Sequence, residues 1–327
     1  MNISICITVF NEEGSIGPLL DSLIAQTQKP SEIVIVDGGS ADKTVEIINH
    51  YQKRFGGIKL LKEKCPRAKG RNLSVEMARN EIIAMTDAGC VAQKDWLKKI
   101  TAPFVVEEVD IAAGFYKMTG GTPVQKAMAV YLGTTPSKFD MTFLPSTRSV
   151  AFRKQVWEEV GGFPDEEKNS AEDTYFNYSA LKLGMKYARV KSAVVEWGMP
   201  ETIMEFYQKI RSYATWDART KIFVLPKKGL ASHNIKALSV LLRYVFGFLL
   251  VVFFFSNPAL PYLLVILLLL YFTWAYRKAG FWGIVLPALR APSGSSARAS
   301  DVECLLFSST FVGRKTCPSA PAIGSAY

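Results

Sequence analysis

The alternation of apolar and polar residues changes character several times along this 327-residue chain, and each change marks an element. Residues 3–9 (ISICITV) place Ile3, Ile5, Ile7 and Val9 at period two, the spacing of a strand facing a core. Over residues 15–27 the period lengthens, and Ile16, Leu19, Leu20, Leu23 and Ile24 share one side of a helix with Ser15 as its N-cap. Residues 33–36 (IVIV) are continuously apolar, as in a strand covered on both faces of a parallel sheet. A helix over 42–54, a strand over 58–62, a helix over 66–80 and a strand over 82–86 follow. This rhythm predicts a Rossmann-like α/β fold with a doubly wound, mostly parallel sheet.

Further along, the pattern predicts a helix over 94–104, a strand over 109–115, a break at Gly120-Gly121 and a helix over 123–132. A short strand over 149–152 precedes a helix over 154–160 that ends at Gly161-Gly162. Helices over 171–183, stopped by Gly184, and over 201–216 come next. Two apolar arms, 238–255 and 259–276, flank Ser256-Asn257-Pro258. Each has about 18 residues, roughly 27 Å as helix, just enough to span a bilayer. A buried core hairpin is the alternative, but the Leu, Val and Phe content and the position of Arg243, where it snorkels, favour lipid. Lys227, Lys228 and Lys236 precede the first arm, and Arg277 and Lys278 follow the second. The positive-inside rule then places both flanks in the cytoplasm, giving a multi-pass membrane protein whose α/β domain faces that side. The expected organisation is a domain over 1–220, a basic juxtamembrane linker over 221–237, two transmembrane helices over 238–276 and a tail over 277–327. The tail turns rich in Ser, Ala, Gly and Pro from Ala291, which predicts poor order.

Charge adds a preference for anionic partners. The formal net charge is +10, which suits anionic lipid and nucleotide phosphates. Nucleic acid is not an expected partner, because no basic run interleaved with aromatics occurs. The five cysteines, Cys6, Cys65, Cys90, Cys304 and Cys317, form no CxxC pair, so neither a disulfide framework nor a zinc site is expected, and a reducing compartment fits. His50 and His233 are the only histidines, which leaves acid–base chemistry to carboxylates. The strand pattern starts at the N-terminus, so no signal peptide is expected.

Candidate chemistry gathers where strands end. Thr8-Val9-Phe10-Asn11-Glu12-Glu13 follows the first strand, Asp37-Gly38-Gly39-Ser40-Ala41-Asp42 the second, and Asp87-Ala88-Gly89 the fourth; Ala171-Glu172-Asp173 opens a helix. In a parallel α/β sheet ligands bind at the carboxyl edge, so Glu12, Asp37 and Asp87 would grip a metal, a ribose or a base there. Taken alone, Asp37–Ser40 also reads as a turn with Asp42 as a helix cap.

This ordered set resembles the family-2 glycosyltransferases of the GT-A fold. The match is carried by Thr8 to Glu13, Asp37 to Ser40 with Asp42, Arg67 to Asn72, Asp87 to Gly89 with Trp96, Phe152-Arg153 leading to Gly161-Gly162-Phe163, and Glu172-Asp173. It covers about residues 1–220. The resemblance implies an inverting enzyme that takes a sugar from a nucleotide-diphosphate sugar. Thr8, Phe10, Glu12, Asp37, Arg71, Asp87 and Ala88 would bind the donor, with Asp37 on the base or ribose and Arg71 on the base or phosphate. Asp87 would stand first in the DxD motif and hold a divalent cation, Mg2+ or Mn2+. Asp173 would be the general base. Glu172, Gln208, Arg211 and Trp216 would lie on the acceptor or diphosphate side, although an amphipathic helix on lipid headgroups explains the last three equally well. The acceptor would be lipid-linked or a polysaccharide, with membrane lipid as a further partner.

The chemistry agrees with these roles. A departing diphosphate gains negative charge, which a Lewis acid offsets, and a carboxylate opposite removes the acceptor's proton. No further carboxylate suits a covalent glycosyl-enzyme, as inversion requires. Two positions depart from the family pattern: Gly89 replaces the second acid of the DxD motif, and Gly38 replaces a second Asp after Asp37. The Gly89 departure supports an alternative, a catalytically idle nucleotide-sugar-binding subunit of a membrane assembly; the intact Glu172-Asp173 pair argues against it. A dinucleotide-dependent dehydrogenase would need GxGxxG after the first strand, where Asn11-Glu12-Glu13-Gly14 stands instead.

Overall fold

A computed structural model of the chain describes residues 1–106, 108–132, 134, 139–164, 172–219, 238, 241–249 and 260–281. Its first half follows the hydrophobic pattern closely. Strands β1 (Ile3–Val9), β2 (Glu32–Asp37), β3 (Ile58–Lys62) and β4 (Ile82–Met85) alternate with helices α1 (Ile16–Ile24), α2 (Thr44–Arg54) and α3 (Arg67–Met77). The strands lie parallel in the order β3-β2-β1-β4.

Both faces of this half-sheet are covered. Ile3, Ile5, Ile7 and Val9 point into one core with Ile33, Ile35, Ile82 and Ala84, packed against α1 and α2. The intervening Cys6, Val34, Ile83 and Met85 point into a second core beneath α3. The polar face of β1 is therefore also buried: Ser4 donates to Glu32 Oε1 at 2.6 Å, and the Cys6 thiol donates to the Ser74 carbonyl at 3.3 Å. Ser15 does occupy the N-cap position of α1, but its hydroxyl makes no capping bond and donates instead to the Glu12 carboxylate.

The second half continues through β5 (Cys90–Ala92), α4 (Trp96–Thr101), α5 (Pro103–Val106), β6 (Ile111–Thr119), α6 (Pro123–Leu132), β7 (Val150–Arg153), α7 (Lys154–Val160), α8 (Glu172–Lys182), β8 (Tyr187–Gly198) and α9 (Ile203–Arg219). The eight strands form one sheet, β3-β2-β1-β4-β7-β6-β8-β5. β7 runs antiparallel to β4 and β6, β8 runs parallel to β6, and β5 runs antiparallel to β8. The mostly parallel α/β sheet expected from the sequence is thus present. Two strands were not expected. β5 is three residues long, too short to show a period. β8 holds Arg189, Lys191 and Glu196, which break its apolar pattern until Ala193, Val195 and Trp197 alternate into the core.

Gly161 and Gly162 end α7 with positive φ, 84° and 76°. Asn72 fastens this corner by accepting from the Trp157 indole at 3.0 Å and the Phe163 N–H at 2.8 Å. A Cβ on Gly162 would stand 2.9 Å from that same Asn72 oxygen, so glycine is required there twice over.

After α9, residues 241–249 are helical, as is α10 (Leu260–Phe281), in which side chains are described from Tyr262 to Trp274. Among the described residues no helix is long and apolar enough to cross a membrane. The expected linker over 221–237, the turn between the two arms and the tail from residue 282 onward lie outside the described residues. The expected transmembrane hairpin is therefore not shown.

The packing around β6, in the mixed half of the sheet, is tight. The register of β6 on β8 shifts between Gly114 and Phe115. A Cβ on Gly114 would overlap Ser149 Oγ and lie 2.9 Å from the Ala193 carbonyl oxygen. Ser149 is held there because it accepts from the buried Trp96 indole at 2.9 Å and donates to Ala193 at 3.2 Å. Gly114→Ala is expected to destabilise the fold by about 1–3 kcal/mol through overpacking. A lowered urea midpoint with an unchanged denaturant slope would show it.

Candidate active site

The carboxyl ends of β1, β2 and β4 open onto a cavity of about 570 Å3. Two loops form its near rim and clasp each other through reciprocal bonds. The Asn11 N–H donates to Ser40 Oγ at 2.8 Å, and the Ala41 N–H donates to Asn11 Oδ1 at 2.8 Å. The Glu12 N–H donates to Thr44 Oγ1 at 2.7 Å, and the Glu13 N–H to Asp42 Oδ2 at 3.0 Å. Asn11 adopts φ 54°, the left-handed region its short polar side chain tolerates. Asp37 is buried and accepts the N–H groups of Gly39 and Ser40, both at 3.1 Å, so its carboxylate shapes the turn. Gly38 fits because a Cβ would stand 3.2 Å from the Cys65 carbonyl oxygen. Thr8, Phe10 and Glu12 line the cavity from this rim, and Phe10 is 61% exposed. Burial raises the Glu12 carboxyl above its ordinary value, against the pull of the Ser15 hydroxyl and Lys209.

The cavity's acidic side is built on an ion network. Arg71, from α3, donates to Asp87 Oδ1 at 2.8 Å and to Glu172 Oε1. Arg67 Nε lies 2.8 Å from the same Glu172 oxygen. Arg71 and Glu172 are buried, while the Asp87 side chain keeps 25% of its exposure and lines the cavity with Ala88. The other Asp87 oxygen accepts from Thr147 Oγ1 at 3.3 Å. Burial alone would raise the Asp87 carboxyl, but the guanidiniums of Arg71, Arg148 and Arg67 outweigh it and hold the group below the usual carboxylate range.

The opposite wall is cationic and aromatic. Arg148, just before β7, lies with its guanidinium carbon 3.8 Å from the centroid of Trp197 and 5.3 Å from that of Tyr116. It also donates to the Tyr213 hydroxyl at 3.3 Å. Lys209, on α9, sits with its ammonium 4.2 Å from the Trp197 centroid. Cations over an indole face are held by the ring quadrupole. Burial, with the neighbouring Arg148, pushes the Lys209 ammonium down to about 8, against the pull of Glu12, Cys90 and Asp87.

The sequence-derived residues are therefore distributed unevenly. Thr8, Phe10, Glu12, Asp87 and Ala88 line the cavity. Asp37 and Arg71 lie behind it, occupied by a turn and by two carboxylates. Asp173, half-buried in the first turn of α8, borders a separate small hollow with Thr147, Phe163 and Asn177. Residues 165–171, which precede it, lie outside the described residues. Gln208 and Arg211 are exposed, and the Trp216 side chain is outside the described residues. On α9 it is Lys209 and Tyr213, four apart, that reach the cavity. The signal for them was the apolar stripe Phe206, Ile210 and Tyr213, which packs on the core and fixes the inward face. Arg148 and Trp197 carried no local signal; non-local strand pairing brings them in.

A divalent ion finds few ligands here. Among the described residues no group of three or more His, Cys, Asp or Glu is arranged to hold a metal ion. Asp87 already accepts from Arg71 and Thr147, and Gly89, where a second acid would stand, has φ 82°. These side chains do not by themselves compose a divalent-ion site.

Comparison with known proteins agrees with the fold. The family model "Glycosyl transferase family 2" matches residues 4–163, and "Glycosyl transferase family group 2" matches residues 87–276. The chain is 26% identical over 170 residues to glycosyltransferase AglE of Haloferax volcanii, covering 50% of this chain and 56% of that one. It spans a little over half the length of the first curated relatives it matches, 56% for each of two. S. aureus TarS 1-349, solved with UDP-GlcNAc, superposes with a TM-score of 0.52 at 23% identity over 66% of both chains. Mannosyltransferase PcManGT from Pyrobaculum calidifontis, solved with GDP-Man and Mn2+, superposes with a TM-score of 0.60 at 17% identity, covering 86% of this chain and 85% of that one.

Two outcomes follow from the site's charges. Arg71→Met leaves Asp87 and Glu172 without their shared cation, and is expected to cost about 3–5 kcal/mol in urea unfolding. Arg71→Lys should recover only part of this, because an ammonium lacks the fork that reaches both carboxylates. At the opposite wall, Lys209 is charged below about pH 8 and neutral above it. The wild type should therefore bind pyrophosphate more tightly than Lys209→Met near about pH 7, and that advantage should shrink steadily as the pH rises above about 8. Calorimetric titration of both proteins across this range measures it; a constant ratio would remove Lys209 from anion binding.

Proposed function

Because this chain belongs to glycosyl transferase family group 2, we propose that it transfers a sugar, with inversion, from a nucleoside-diphosphate sugar to a lipid-linked or polysaccharide acceptor. The observation that carries the reading is the cavity at the carboxyl ends of β1, β2 and β4, which joins an exposed aromatic ring, Phe10, to a carboxylate side and a cationic wall. That is the composition a base, a sugar and a diphosphate need in one ligand. The solved proteins of the same fold hold UDP-GlcNAc and GDP-Man.

In this reading the nucleoside lies along Thr8, Phe10 and Glu12, and the diphosphate crosses toward Arg148 and Lys209. The acceptor hydroxyl attacks the anomeric carbon from the side away from the diphosphate. A new C–O bond forms there as the sugar–phosphate bond breaks, and the electron pair stays on the phosphate oxygen. Asp173 takes the acceptor's proton. The adjacency of Glu172 and Asp173 matters: Glu172 is tied to Arg71 and Arg67, so the first turn of α8 that bears Asp173 is fixed to the donor cavity. The family resemblance implies Mg2+ or Mn2+ as cofactor. The proton and electron-pair movements above involve no ion.

Membrane contact belongs to the same proposal. Leu241, Leu242, Phe246 and Phe248, and Leu263, Ile266, Leu269 and Phe272 of α10, are exposed apolar side chains that follow the α/β domain. A lipid surface would cover them and would bring a lipid-linked acceptor within reach of a cytoplasmic catalytic domain. The idle-subunit alternative is not favoured by the family match.

Asp173→Asn tests the mechanism. The amide is nearly isosteric, so melting temperature and donor affinity should hold, while sugar transfer should fall by about 10²–10⁴-fold. A carboxylate that serves only the helix dipole would give the reverse, a stability loss of about 0.3–1 kcal/mol and normal transfer. Transfer is measured with a panel of nucleotide sugars on membrane-extracted acceptor.

A further inference from the structure

The two walls of the cavity treat charge differently. On one side every charged group has an opposite partner: Arg71 with Asp87 and Glu172, Arg67 with Glu172. On the other, Arg148 and Lys209 have no carboxylate within salt-bridge distance among the described residues. Arg148 is held by Ser146, Tyr213 and two aromatic rings, and its buried Nε has no hydrogen-bond partner among the described residues. Lys209 rests on the same indole as Arg148. Two cations brought to one ring repel each other, and an uncompensated buried charge is costly. A wall with two surplus positive charges is matched by a ligand segment with two negative ones, and the diphosphate of a nucleotide sugar is such a segment.

We propose that Arg148 and Lys209, carried on Trp197, bind the donor's diphosphate and take up the charge that develops on it when the sugar leaves, so that donor binding at this site needs no divalent ion. This rests on the nucleotide-sugar reading above. The electron pair of the broken sugar–phosphate bond stays on the terminal phosphate oxygen, which changes from a bridging to a free anionic oxygen. The Arg148 guanidinium supplies N–H donors to it and Lys209 a mobile ammonium. Trp197 is a positioning residue. It belongs to β8 next to the Asp87-Ala88-Gly89 turn, to which it is tied by Cys90 pairing opposite Trp197 and by the Gly198 N–H donating to the Gly89 carbonyl at 3.2 Å. The cationic wall and Asp87 are therefore fixed to each other through the backbone. The donor set at Asp87 agrees, since both its oxygens are already engaged and the left-handed backbone at Gly89 provides no second acid.

The test is calorimetric titration of the full chain with UDP and with GDP, each in EDTA and each with excess Mn2+. The expected result is that at least one nucleotide binds in EDTA within about threefold of its affinity in Mn2+. Lys209→Met should weaken that metal-free binding by about 10- to 100-fold, the worth of a charge-assisted contact. Lys209→Arg, which keeps the charge, should bind within a few-fold of wild type. Arg148→Met should weaken it comparably, and its melting temperature reports whether the packing on Trp197 survives; Lys209, on the outer helix, keeps the test valid if Arg148→Met unfolds. Binding that vanishes in EDTA and returns with Mn2+ overturns this proposal and leaves the nucleotide-sugar reading standing. Wild-type affinity in Lys209→Met overturns it as well. Failure of both nucleotides to bind with or without Mn2+ overturns the nucleotide-sugar reading and this proposal together.

Discussion

Arg71 between two carboxylates is the interaction on which the site's geometry depends. It joins three elements that the chain separates widely: Arg71 from α3, Asp87 after β4, and Glu172 at the start of α8, 101 residues further along than Arg71. Two ionised carboxylates repel at close range unless a cation lies between them, and a guanidinium is the side chain whose planar fork reaches both. Such a buried network is not a strong source of stability, because stripping water from three charges costs about what their attraction returns. Its effect is positional. An ion set with fixed donor directions holds the strand end and the helix start in one relation, which an apolar contact of similar size does not specify.

That relation explains why the two sides of the cavity differ. The carboxylates at the network are committed: Asp87 is held ionised, and Glu172 is shared by two arginines. The cations across from them rest on ring faces and, for Arg148, hydroxyls, with no carboxylate at salt-bridge distance among the described residues. An aromatic face steadies a cation without cancelling its charge, whereas a carboxylate would cancel it. Using Trp197 as the support therefore leaves the wall charged toward the cavity. The cavity thus combines one neutralised surface and one charged surface, both anchored on the same stretch of sheet through the pairing of β5 with β8.

How far this was legible in the sequence follows from how local each feature is. The run from β1 to β4 could be read because β1 alternates cleanly, β2 and β4 have continuous apolar cores, and α1 carries an unbroken stripe of buried residues. The placement of Glu12 and Asp87 at the cavity was legible for the same reason, since a strand end in a parallel sheet fixes where the next residue lies. β8 was not legible. Its strand partners are β6 and β5, far away in sequence, and its charged residues hide the period. Arg148 and Trp197 inherit that difficulty, because only the assembled sheet puts them side by side. On α9 a family-style motif, Gln208 and Arg211, drew attention to the outer face, while the plain helical period of Phe206, Ile210 and Tyr213 pointed to the inner one. For Arg71 the resemblance implies a contact to base or phosphate, whereas the contacts it makes within the chain are to Asp87 and Glu172.

The two glycines that break the family pattern have different physical reasons. At Gly38 the obstacle is space: a side chain would press against the Cys65 and Val9 carbonyl oxygens, at 3.2 and 3.5 Å from its Cβ. At Gly89 space is open, with nothing within 4 Å, and the obstacle is the backbone, whose φ of 82° costs an ordinary L-residue about 1–2 kcal/mol. That left-handed turn has a structural use. It lets Gly89 present its carbonyl to Gly198 and start β5 beside β8, which is what carries Trp197, and with it Arg148 and Lys209, up to Asp87. An acid at position 89 would have to take up the same left-handed backbone, which glycine adopts without cost. In this chain the turn prevails, and the site has one fewer carboxylate and two cations on the facing wall.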